Sequence, residues 1–288
     1  MKGFDYMVMG LLAASLIAGI YVGVVYDPYW PLNLAAAGLA FGSLSLLVYS
    51  RRLMYIAAAS PHGAFLSASL AIPASIAVGG PVEAWTLVFS ILTVYIAWYL
   101  VGKGLDPDEA TSIYVGVSAT GGVLAAYLVL TRYPYSSQVI ASIIGDPLLA
   151  GRGEVLLALA VALVFLLVSA SSLREVLYVG ADPEDARLSG MRVWAYDLFL
   201  YTSIAVIAAV MVRVVGFVLE HVMILLPGLI AHYTVRGAYR AFTASVVVSL
   251  SASILGLHLA ILLDQSPSAM TGLILITAFL IAVARGRG

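Results

Sequence analysis

His62, Glu220 and His221 are ionisable residues set inside long apolar stretches. A charge at the centre of a bilayer costs at least about 2.5–3.5 kcal/mol, so such groups face a cavity or a partner. Imidazole and carboxylate together suit zinc, manganese or iron. The chemistry these residues offer is a divalent ion held transiently by His62 and Glu220, with His221 as a further donor. Depth supports the grouping. His62 lies ten residues beyond Arg52, about 15 Å along a helix, and Glu220 and His221 lie seven and eight residues beyond Arg213, roughly 10–12 Å. The competing reading pairs Glu220 with Arg213 or a histidine and leaves His62 a neutral ring satisfied by a helix carbonyl. His221 follows Glu220 directly and points about 100° away round a helix, so packing is its simpler role. His232 and His258 read as helix-end and packing residues.

The elements that hold these residues follow from composition. The chain has 288 residues, 62% hydrophobic and 10% charged, where a soluble domain carries about 25% charged. A soluble or disordered protein is excluded. With 14 basic against 15 acidic residues, no basic surplus exists to bind nucleic acid. The apolar runs are continuous, without the alternation of an outer-membrane barrel. The fold class is therefore all-α, a single polytopic membrane domain over 1–288. A span needs about 20 apolar residues, and ten stretches qualify: 6–26, 33–50, 55–78, 84–101, 110–131, 154–172, 194–212, 214–231, 241–263 and 268–284. The boundary at 212–214 is the weakest, because no turn cluster separates the two spans. The first span reads as a retained helix, since no cleavage site follows it and Asp27-Pro28-Tyr29-Trp30-Pro31 makes an interfacial turn.

Ten spans with cytoplasmic termini place 11 of the 14 Lys and Arg inside, leaving Arg132, Arg152 and Arg213 outside, as orientation by basic loops requires. Cysteine is absent, so thiolate metal sites and nucleophiles are excluded. No phosphate-cradling glycine loop and no H-E-x-x-H motif is present, so the chain is expected to be no enzyme. A secondary transporter driven by an ion gradient is the alternative class. It needs buried acids as proton or sodium sites, and Glu220 alone serves it poorly.

The longest inner loop runs from Arg174 to Arg192. Asp182-Pro183 is a helix start, with a capping side chain followed by proline at the first helical position. Glu184 and Asp185 suit the positive end of that helix, and Gly190 can end it. The loop is either a solvated connection or a docking helix for a cytoplasmic partner.

Three of these segments resemble the permease subunit of zinc/manganese-type ABC importers, the ABC-3 family. Arg51-Arg52-Leu53 through Ser60-Pro61-His62-Gly63 resembles the family's RRM…DALSH segment, with His62 on the family histidine. Asp182-Pro183-Glu184, Ala186 and Gly190 resemble the FDPExAxxxG loop, and Gly216 through Leu226-Pro227 and Ala231 resemble the G…LLxPAxxA helix. Weaker likeness is seen at Asp108–Ser118 and Ile144-Gly145-Asp146. The likeness covers roughly 33–284, leaving 4–28 as an extra N-terminal helix. The resemblance implies a type II importer-like permease in the plasma membrane. It implies a homodimeric or pseudo-dimeric permease, two separate cytoplasmic ATPase subunits and an extracytoplasmic metal-binding protein. No cofactor is bound; the divalent metal is cargo. Asp182, Pro183, Glu184, Ala186 and Gly190 would then contact the ATPase. The family's aspartate, one helical turn before its histidine, is Ala58 here, and Glu220 is the residue that can replace that carboxylate. A permease for a non-metal substrate is the alternative within the family.

Overall fold

The computed structural model describes residues 2–133 and 147–285. The described residues form α1 (Lys2–Val25), α2 (Tyr29–Ser50), α3 (Met54–Val78), α4 (Val82–Gly102), α5 (Pro107–Arg132), α6 (Arg152–Ser171), α7 (Leu173–Ala181), α8 (Pro183–Leu188), α9 (Val193–Thr234), α10 (Ala238–Leu263) and α11 (Pro267–Arg285). Nine of them are long and apolar enough to cross a membrane. The protein is an all-α, multi-pass membrane protein. The likeness at Ile144-Gly145-Asp146 lies outside the described residues.

The sequence leads to ten spans, and the difference lies in α9. Its 42 residues would reach about 63 Å if straight, twice the hydrocarbon core. At Gly216 the backbone leaves the helical region, with φ 79° and ψ 164°. Contacts along α2 show what happens there. Asn33, at one end of α2, reaches the Val214 carbonyl at 3.5 Å. Further along, Ser45 bonds the Leu225 carbonyl at 3.0 Å. At the other end, Tyr49 packs on His232 and Arg51 bonds Asp197 at 2.8 Å. Both ends of α9 therefore lie at the Arg51 end of α2, and the chain reverses at Gly216. The arms 193–215 and 217–234 fill the places of two expected spans. One glycine in a conformation open only to glycine replaces the turn cluster.

Other helices close the broken backbone of this hairpin. Asn33 and Ser268 donate to the Val214 and Val215 carbonyls, which end the first arm. In the second arm Pro227 lacks an N–H and interrupts the helical ladder. Ser45 inserts there, accepting from the Gly228 N–H at 2.8 Å while donating to Leu225. Without water to satisfy such groups, membrane helices tolerate proline where a neighbour re-satisfies the backbone. A Cβ on Gly228 would sit 2.6 Å from the Ser45 carbonyl oxygen, so the crossing also requires glycine.

Helices α2 and α9 form the centre of the bundle, and α1 lies at its edge, with only 17% of its span buried. Small residues let α2 meet α10 closely: Cβ atoms on Gly38 and Gly42 would stand 2.6 and 2.7 Å from backbone Cα atoms of Leu250 and Val246. Ionic clamps fix the two ends. Arg51 grips Asp197 through two bonds of 2.8 and 3.1 Å. At the hairpin tip Arg213 meets Glu154 at 2.7 Å and Glu83 at 3.2 Å.

Candidate functional site

His62 lies in the third turn of α3, directly after Pro61. Pro61 leaves the Ala57 carbonyl without its helical donor, and the Ser60 hydroxyl takes that carbonyl at 2.8 Å. The ladder is thus loosened under His62 without an unpaired group. Gly63 follows, and a Cβ there would overlap the Tyr114 hydroxyl of α5. That close approach brings Tyr114 against α3 beside Thr93.

The second arm of α9 supplies the opposite wall. The His62 and His221 rings meet edge to face, with centroids 5.4 Å apart. Phe217 packs on both, at 5.0 Å from His62 and 4.7 Å from His221. The His221 Nδ1 stands 2.7 Å from the Phe217 carbonyl oxygen. A carbonyl only accepts, so Nδ1 carries the proton and donates it, which leaves the Nε2 lone pair free. Metal-binding histidines are held in this way, by a carbonyl or carboxylate on the other nitrogen. Both rings are half-buried.

Glu220 is placed differently. It is 0% exposed, and neither carboxylate oxygen has a hydrogen-bond partner among the described residues. Arg213 is engaged by Glu83 and Glu154, and no ion pair joins Glu220 to His62 or His221. Ionised, Glu220 would need a cation nearby to offset its burial. The structure therefore brings His62 and His221 together, and buries Glu220 in the packed interior with no hydrogen bond or ion pair to either. No group of three or more His, Asp or Glu side chains with metal-ligand spacing occurs among the described residues. His232 and His258 pack on Tyr49 and Tyr21.

The inner loop folds into two helices. In α7, Leu173, Val176 and Val179 recur on one face and are buried. Asp182 ends α7 and caps α8, accepting from the N–H groups of Glu184 and Asp185 at 3.1 and 3.0 Å, with Pro183 at the first helical position. Gly190, at φ 85°, ends the helix in the left-handed region. Ala186 is 0% exposed and packs with Val179 and Val193, so it anchors α8 rather than facing outward. The outward face carries Glu184, Arg187 and Leu188, and Leu188 is 87% exposed. Its type suggested packing, so only the structure singles it out.

Spans crossing the membrane, imidazoles facing each other between two of them and a capped helix projecting from one end together define the membrane subunit of a transporter. The chain belongs to the ABC 3 transport family, whose profile matches residues 32–286. It is 23% identical over 239 residues to a "Probable metal transport system membrane protein" of Thermotoga maritima, covering 83% of this chain and 82% of that one. Over 171 residues it is 26% identical to the "Manganese transport system membrane protein MntB" of Synechocystis sp., covering 59% of this chain and 55% of the relative. Its fold matches a chain of the solved PsaBC complex from Streptococcus pneumoniae with TM-score 0.79 and 18% identity, covering 93% of this chain and 95% of that one.

Proposed function

We propose that this chain is the permease subunit of an ABC importer that carries a divalent metal ion across the plasma membrane, with zinc, manganese and iron the ions its donors suit. The observation that carries this reading is His221: its Nδ1 proton is committed to the Phe217 carbonyl at 2.7 Å, and its ring faces His62. Two neutral imidazoles bind such an ion weakly enough to release it, which transport requires and storage does not. Glu220, buried without a partner, would carry negative charge only with a cation close enough to offset its burial, as a metal ion in the pathway would be. The names of the two relatives support a metal, and manganese among metals.

The energy comes from a separate ATPase subunit, which docks on α8 through Glu184 and Leu188. Asp182, Pro183, Ala186 and Gly190 set the shape of that helix. An extracytoplasmic metal-binding protein delivers the ion at the Arg213 end, and two copies of the chain form the complete pathway. The permease itself performs no catalysis and holds no resident cofactor.

Uptake of labelled manganese and zinc into proteoliposomes containing the permease, its ATPase and its binding protein tests this reading. ATP-dependent accumulation is expected. Accumulation of neither metal, with intact ATP hydrolysis, would reject a metal cargo.

A further inference from the structure

A cavity of about 620 Å³ opens at the cytoplasmic end of the bundle, between the α2–α3 turn, the facing ends of α4 and α5, and the α7–α8 turn. Its charged lining is Arg51, Arg52, Arg187 and Asp197, with Trp98 and Tyr201 beside them. Arg51 and Asp197 neutralise each other through their paired bonds. Arg52 and Arg187 form no ion pair with any described residue. Of the carboxylates on the surrounding segments, Asp106 and Glu109 close the α5 cap, Asp182 caps α8, Asp185 accepts from the Tyr178 hydroxyl, and Glu184 is exposed on α8 with no ion pair to Arg187. The cavity wall therefore carries two arginines outside any ion pair among the described residues.

Both arginines are positioned by local structure. Pro183 and Arg187 lie one turn apart on α8 and line the cavity from the same face. Arg52 has φ 57°, in the left-handed region that side chains other than glycine rarely occupy. Backbone bonds from Arg52 to Tyr49 and from Leu53 to Val48 hold that turn closed. A turn that keeps arginine where glycine fits better points to use of the side chain.

We propose that this cavity binds a phosphate-bearing anion, bridged between Arg52 and Arg187. Two guanidinium forks match the paired oxygens of a phosphate. Basic pockets between helices on the cytoplasmic side take phospholipid headgroups, and the cytoplasm supplies soluble phosphates as well. The bound anion ties the coupling helix to the base of α3, ten residues below His62. The site rests on its cavity and charges, and it holds whichever cargo the permease carries.

The test uses the full permease in two arms. In detergent at constant ionic strength, inorganic phosphate should raise the unfolding temperature of the wild type. In nanodiscs of phosphatidylcholine with phosphatidylglycerol, native mass spectrometry should show one retained anionic lipid. The R52G/R187Q variant should weaken binding in the responding arm by roughly ten- to a hundredfold. Glycine suits the backbone at position 52, so this variant is expected to fold, and Arg52→Lys should keep only part of the response, because an ammonium is a point charge without the paired donors of the fork. A response in the first arm alone assigns a soluble phosphate, and retention in the second assigns a headgroup. Either result supports the site. Equal behaviour of wild type and variant in both arms overturns it. So does loss of ATPase binding in the variant with no anion response in either arm, which would give the arginines to a protein contact.

Discussion

The His221 ring is oriented by the carbonyl of Phe217, one helical turn before it, at 2.7 Å from Nδ1. The same phenylalanine packs its ring on His62. One residue thus sets the tautomer of one imidazole and the position of the other. Replacing His221 by Ala should lower metal-stimulated ATP hydrolysis by about tenfold or more, in the range of an outer-shell or ligand loss. Phe217→Leu keeps the carbonyl and removes the ring, so it should have a smaller effect. Titrating the metal against the hydrolysis rate of each variant checks the order; equal loss in both would mean that ring packing alone matters.

Ser45 bonds two backbone groups beside Pro227, accepting from the Gly228 N–H and donating to the Leu225 carbonyl. Ser45→Ala should destabilise the permease by about 1 kcal/mol, since bonds between membrane helices average about 0.6 kcal/mol and this hydroxyl makes two. Thermal unfolding in detergent measures the loss. The double variant with Pro227→Ala removes the interruption and should recover part of it.

Gly216 adopts φ 79° and ψ 164° at the point of reversal. Gly216→Ala should cost about 1–3 kcal/mol, because this region is essentially closed to residues with a Cβ. A lower Tm with normal membrane insertion is the expected outcome. Gly10→Ala is the control, since a Cβ there meets nothing within 4 Å.

The coupling helix separates surface from support. Leu188→Glu should abolish co-purification of the ATPase and leave the permease as stable as wild type, because Leu188 is 87% exposed. Ala186→Arg should also lose the ATPase, but through collapse of α8, since Ala186 is fully buried against α7 and α9. Limited proteolysis of the loop distinguishes the two: only the Ala186 variant should become sensitive.

Much of this architecture is legible in the sequence. Apolar runs set the spans, and Asp182-Pro183 marks the start of α8. Each of these signals is local. The hairpin at Gly216 is not, because a single glycine among apolar residues carries no turn signature. Nor does spacing rank Glu220 against His221. They differ by about 100° round one helix, and which of them meets His62 depends on how α9 crosses α3. Ser45 is equally silent: it is one of many serines on apolar helices until Pro227 is placed beside it.

ATP hydrolysis by the reconstituted permease, ATPase and binding protein, measured across a panel of divalent metals, tests the central claim most directly. Stimulation by one or two of manganese, zinc and iron is expected, with that stimulation lost in His62→Ala while basal hydrolysis persists. Stimulation that is unchanged in His62→Ala, or coupled hydrolysis that responds to no metal, would contradict the account.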